Sequence, residues 1–132
     1  EQLSPDNDAD HWDVIEGQGG IFHPGYASVT MGLLIGSQPD AFVVCTEAGR
    51  THIEGWGEFE LPSIEAVISR VSGIGKQVNP TIRCAGTSVN TSKLPVDERE
   101  DYLRALSQET GLPCIDPIAG DTQPIIERLI EG

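Results

Sequence analysis

Apolar residues recur along this chain with two different periods. Between Ser63 and Asn79, Ile64, Val67, Ile68, Val71, Ile74 and Val78 return at three- and four-residue steps, which lays one stripe along one side of a helix. Pro62-Ser63 opens that helix and Asn79-Pro80 closes it. Three further helical patterns run from Tyr26 to Ile35, from Asp97 to Thr110 and from Thr122 to Ile130. The first is stopped by Gly36-Ser37, the second turns Tyr102, Leu103 and Leu106 inward before Gly111, and the third repeats the stripe with Ile125, Ile126, Leu129 and Ile130. Short, nearly continuous apolar runs alternate with these helices: Trp12 to Glu16, Ala41 to Thr46, Thr81 to Ser88 and Pro113 to Asp116. Runs of that kind suit strands covered on both faces. The alternation predicts an α/β three-layer sandwich with a mostly parallel sheet of about four strands, joined by right-handed crossovers. Glu47 to Leu61 breaks the rhythm: it carries Gly49, Gly55, Trp56 and Gly57 without a period, and predicts a structureless loop that folds over a site.

At 132 residues the chain supplies one domain, expected over 12–132 after a flexible acidic lead-in at 1–11. Acids outnumber bases 21 to 8, and the net charge of −13 repels phosphate backbones and anionic membranes. Nucleic acid and membrane partners are therefore not expected. Cys45, Cys84 and Cys114 lie within or at the ends of apolar runs, with no CxxC pair, which predicts buried, reduced thiols and a cytoplasmic protein. No run approaches the ~18 apolar residues that cross a bilayer, and no cleavable signal is visible. A chain that starts without Met is expected to be part of something longer.

In a parallel sheet the loops at the carboxyl ends of the strands share one edge, and that edge is where chemistry is sought. Glu16 leads into Gly17-Gln18-Gly19-Gly20, so it is a candidate magnesium ligand or base; as a plain surface acid it would cap a turn. The glycines let backbone amides approach an anion, although a tight turn explains them equally well. His23 stands on a stiff loop before Pro24-Gly25 and is either catalytic or held by backbone. Arg50 is the sole Lys or Arg before Arg70, and its planar fork suits a carboxylate or phosphate; the structural alternative is a salt bridge to Glu47 or Glu54. His52 is a weaker candidate beside it. Asn90, Ser92 and Lys93 could meet a base or ribose, but Ser92 could equally cap the next helix. Ser72-Gly73-Ile74-Gly75-Lys76-Gln77 contains Gly-Lys, yet a phosphate loop needs a Gly separated from that pair by four residues and Ser or Thr after it, where Arg70 and Gln77 stand.

Glu16-Gly17-Gln18-Gly19, Phe22-His23-Pro24, Tyr26, Val29-Thr30, Leu33-Leu34, Gly36-Ser37-Gln38-Pro39-Asp40 and Arg50-Thr51-His52 together resemble the C-terminal domain of the D-glutamate N-acetyltransferase-like family. That family holds a P-loop-type domain of unknown function, and its members often carry the label NAD-dependent epimerase/dehydratase. The likeness runs from about Trp12 to Glu127. It implies the second half of a P-loop NTPase-like domain, preceded in the full protein by a Rossmann-like domain and the phosphate loop. It also implies an enzyme part that binds an anionic small molecule, an acidic amino acid, an acyl-CoA or a nucleotide, at the carboxyl edge of the strands, with acetyl-CoA or ATP and Mg as a cofactor not expected to bind this chain tightly by itself. Glu16 and His23 would then be catalytic, Glu16 would also hold the metal, and Gly17, Gln18, Gly19, Arg50, His52, Asn90 and Ser92 would contact substrate. Two positions depart from the pattern: Thr46 stands where relatives commonly carry His, and Gly20 where many have Ser. The glycine turn is also similar to that of dethiobiotin synthetase-like enzymes, which keeps an ATP- and Mg-dependent ligase as an alternative. A non-catalytic binding or homo-oligomerisation module is the other. Without its missing N-terminal domain, the isolated chain is expected to turn over nothing.

Overall fold

Ser63 accepts a hydrogen bond from the amide of Ala66 and starts the helix that the apolar stripe predicts. The computed structural model describes residues 7, 8 and 10–131. Along them run α1 (Ala27–Ser37), β1 (Ala41–Glu47), β2 (His52–Ile53), β3 (Trp56–Glu60), α2 (Ile64–Gly75), β4 (Arg83–Asn90), α3 (Val96–Thr110), β5 (Cys114–Ile115) and α4 (Gln123–Ile130). The lead-in expected at 1–11 falls mostly outside the described residues.

The main sheet is three-stranded and parallel, in the order β1-β4-β5, so the protein is α/β as its pattern predicts. The central strand, β4, is the most deeply covered, with Cys84, Ala85, Gly86, Thr87 and Val89 all buried. Helices α2 and α4 both pack on β4, α3 packs on β5, and α1 packs on α2. Val44, Ala48, Ile82, Cys114 and Ile125 complete the core from these neighbours. The pairing of β1 with β4 slips by one residue, from Phe42 opposite Cys84 to Val43 opposite Gly86. At that slip Gly86 sits at φ +157°, where a Cβ would lie 2.6 Å from the carbonyl oxygen of Pro113 and 2.9 Å from Cγ1 of Ile125.

Asn79 fastens the start of the sheet. Its Nδ2 donates to the carbonyl of Pro39 at 3.1 Å and to Oδ1 of Asp40 at 3.0 Å, and its Oδ1 accepts from the amide and the hydroxyl of Thr81 at 3.1 and 2.7 Å. The α2–β4 connection is thereby tied to the residues that enter β1.

Three expectations need correction. Trp12 to Glu16 is not a strand: it runs without regular structure, and Trp12 and Val14 are 55% and 91% exposed. An apolar run becomes a strand by joining a sheet, and the sheets formed by the described residues, β1-β4-β5 and β2-β3, do not include this one. Residues 47–61 are not structureless, because β2 and β3 form an antiparallel hairpin closed by Glu54-Gly55. Cys45 is exposed while Cys84 and Cys114 are buried, because the carboxyl end of β1 opens on a cavity instead of the core. Among the described residues no helix is long and apolar enough to cross a membrane.

Candidate functional site

The carboxyl ends of the three parallel strands do meet. Glu47 at the end of β1 takes an ion pair from Lys93 beyond β4, with Nζ to Oε2 at 2.8 Å. Asp116, just beyond β5 and 4% exposed, accepts from the amide and hydroxyl of Thr91 on one carboxylate oxygen and from the amides of Ile118 and Ala119 on the other. Burial would push its carboxyl up, but these hydrogen bonds outweigh burial and hold it below the usual carboxylate range. Asp116 is thus a structural anion that joins two strand ends.

Beside this edge, on the outer side of β1, lies a cavity of about 170 Å³. Val44 and Cys45 form its floor, Ile53 and Leu61 of the hairpin one wall, Phe22 another, and Pro62 and Ile64 at the start of α2 a third. Its polar groups include His23 and Arg50. The hairpin therefore does fold over the candidate site, although as an ordered β-ribbon. A larger space of about 320 Å³ opens between α3 and β5. None of the residues expected to carry chemistry lines it, and the carboxylate of Asp116 within it is already committed to Thr91, Ile118 and Ala119.

His23 is held closely. Its Nδ1 accepts from the amide of Gly25 at 3.1 Å, the ring of Tyr26 lies tilted with centroids 4.8 Å apart, and Trp56 meets it edge-on at 6.0 Å. Trp56 in turn touches Phe59, so the hairpin supports the imidazole from outside. Arg50 is far less committed. It pairs with Glu54 at 3.9 Å, and the Glu54 side chain is 89% exposed, so that contact contributes little.

Glu16 stands at no strand end, but its carboxylate lies close enough to Cys45 to act on the thiol. Burial pushes the Cys45 thiol above its ordinary value, and the negative charge of Glu16 pushes it further. A thiol raised in this way stays protonated at neutral pH and is a poor nucleophile. Cys45 in the native protein is therefore expected to alkylate slowly at pH 7, and Glu16→Gln to move the midpoint of its pH–alkylation curve downward. A midpoint unmoved by that substitution would place the carboxylate away from the cavity.

The remaining expected residues are scattered around this centre. Gly19, at φ +87°, closes its turn against α1: its carbonyl accepts from the Thr30 hydroxyl at 2.6 Å, and a Cβ there would lie 3.1 Å from Cβ of Tyr26. Gly17 lies against Thr30, Gly20 reaches the cavity, and Gln18 is exposed. The turn thus has a packing role that sets the position of His23. Asn90 uses its Oδ1 to accept from the amide of Ser92 at 3.0 Å, and neither residue lines the cavity. His52 is exposed on the hairpin, with its ring nitrogen 2.9 Å from the Thr51 hydroxyl. Among the described residues no three His, Cys, Asp or Glu side chains cluster as metal ligands. The sequence set Asp116 at the last strand end of the expected edge without giving it a role, although an acid at the end of an apolar strand before Pro117 is the signature of a side chain folded back on its own turn.

Residues 1–126 match the family described as a domain of unknown function, DUF1611_C, P-loop domain. Two proteins named D-glutamate N-acetyltransferase are similar over 129 residues, 98% of the chain: one from Pseudoalteromonas at 43% identity and one from Tritonibacter scottomollicae at 40%. The chain spans 39% of the length of each. A crystal structure of a DUF1611 family protein from Anabaena variabilis superposes with a TM-score of 0.82 at 28% identity, covering 89% of this chain and 34% of that one.

Proposed function

The chain belongs to the DUF1611 family of P-loop domains, and from that we propose that it is the C-terminal part of an enzyme that N-acetylates an acidic amino acid. The names of the two relatives suggest D-glutamate as the acceptor. The observation that carries the reading is the joint placement of Arg50 and His23 on one small cavity with mostly apolar walls. A space of about 170 Å³ is below the usual span of sites for large ligands, so it suits an amino acid or an acyl group better than a whole nucleotide carrier.

In this arrangement Arg50 exchanges its weak partner Glu54 for a substrate carboxylate, which its two parallel N–H groups hold with both charge and direction. We assign to Glu16, an exposed carboxylate whose charge acts on Cys45, the task of taking a proton from the substrate ammonium. An acetyl thioester such as acetyl-CoA is the donor, entering as a co-substrate. With its raised thiol, Cys45 does not favour an acyl-enzyme route, and transfer goes directly from donor to amine.

Titration calorimetry with D-glutamate tests the acceptor assignment. Arg50→Ala is expected to weaken binding roughly 30-fold or more, the ~2 kcal/mol typical when one partner of a charged, hydrogen-bonded pair is removed. Arg50→Lys should recover part of that loss. Equal affinities for wild type and Arg50→Ala would sink the assignment.

A further inference from the structure

We propose that His23 serves the acyl-transfer reaction as a hydrogen-bond donor through Nε2 and leaves the role of base to another group. The proposal rests on the acyltransferase reading of the cavity, and it concerns which atom of this ring carries hydrogen.

Each nitrogen of a neutral imidazole has one role: one carries hydrogen and donates, the other accepts. In His23 the accepting role is already taken. The amide of Gly25 donates to Nδ1 at 3.1 Å, and an amide can donate only to a nitrogen with a free lone pair. The hydrogen of the neutral ring is therefore on Nε2. Three local features hold this state. Pro24 has no amide hydrogen and a fixed φ, so the chain between His23 and Gly25 has little freedom to swing the donor away. The Ala27 amide donates to the carbonyl of His23 at 2.9 Å, fixing its backbone at the entry to α1. Tyr26 and Trp56 restrict the ring from two sides.

His23 lines an apolar cavity, and an N–H held on its ring is suited to the oxygen of a carbonyl that is gaining charge. When the deprotonated amine of the acceptor attacks the acetyl carbon, a C–N bond forms and the carbonyl π pair moves to oxygen. The Nε2–H of His23 donates to that oxygen. As the C=O bond re-forms, the C–S bond breaks and its pair leaves with sulfur. The thiolate is protonated by the hydrogen shed from the new ammonium nitrogen, and the hydrogen on Nε2 stays in place throughout. A base at this position would instead need a free lone pair on Nε2, which the bond from Gly25 denies it.

Long-range ¹H–¹⁵N correlation on the labelled chain reads the ring directly. In the neutral ring Nε2 is expected to carry the hydrogen and Nδ1 to be bare; hydrogen on Nδ1 overturns the proposal. In the full-length acetyltransferase, His23→Gln keeps a side-chain N–H without a titrating group. It is expected to lose about tenfold in kcat with an unchanged pH profile, whereas His23→Ala loses 10²- to 10³-fold, the range for removal of one such donor. A glutamine variant as inactive as the alanine variant, or one that loses a limb of the pH profile, would return the residue to the role of base. A chain with hydrogen on Nε2 that fails to bind D-glutamate supports the donor state and removes the acceptor assignment alone.

Discussion

Gly86→Ala is expected to destabilise the domain by about 3 kcal/mol or more, the sum of a close-packed clash and a backbone conformation that side chains disfavour. The added methyl would lie 2.6 Å from the Pro113 carbonyl, which is backbone and cannot rotate aside, and 2.9 Å from Ile125 of α4. The residue also stands at φ +157°, within the region that glycine alone adopts readily. Relief requires β5 to move away from β4, and that movement breaks the bond from the Thr87 amide to the same Pro113 oxygen, now 2.8 Å long. The central strand would be left with one secure neighbour. Chemical denaturation of wild type and variant measures the loss in midpoint. A variant as stable as wild type would show that the closeness of β5 and α4 to this glycine is not a constraint on the fold.

The second large effect is expected at Asp116. Its two oxygens receive four donors, two of them from Thr91, which is itself fully buried. Asp116→Asn turns one of those oxygens into a donor facing donors, and is expected to cost about 2–3 kcal/mol at neutral pH, as for hydrogen bonds to a charged group. The pH dependence has a definite sign. Because the folded protein holds this carboxyl below its unfolded value, its contribution is fully present above the ordinary carboxylate range and is lost as pH falls through the lowered folded value. Wild type should lose stability on acidification more steeply than Asp116→Asn, and the two curves should converge at low pH. Parallel curves would mean that the carboxylate is not the anchor between the ends of β4 and β5.

Much of the fold could be read in the sequence, because the sheet is covered by helices and its strands are accordingly apolar along their length. Phe42 to Cys45 and Ala85 to Val89 carry that mark, and α2 shows its stripe because one side packs on the sheet while the other meets water. Trp12 to Glu16 carries the same composition without being a strand, since composition reports burial in advance and pairing requires a neighbour in space. The hairpin was hidden for the opposite reason. All of β3 is exposed, so no inward and outward alternation marks it, and Glu54-Gly55 is not among the turn pairs that announce a hairpin most strongly. For the site, His23 and Arg50 were legible as a histidine on a stiff loop and a lone guanidinium in an acidic chain, and the fold brings both to one cavity. That Asn90 would spend its oxygen on the Ser92 amide was not legible, because the same residue types serve ligands and turns alike.

The amide of Asn79 also bears on how the protein ages. Asparagine is commonly lost when the backbone nitrogen of the next residue attacks the side-chain carbonyl, a ring closure that requires that nitrogen to shed a hydrogen. Here the next residue is Pro80, whose nitrogen has none. Conversion to aspartate would set a negative charge against the oxygens of Pro39 and Asp40 that the amide now donates to, so the corner most vulnerable to that change is built from a dipeptide that cannot undergo it by this route.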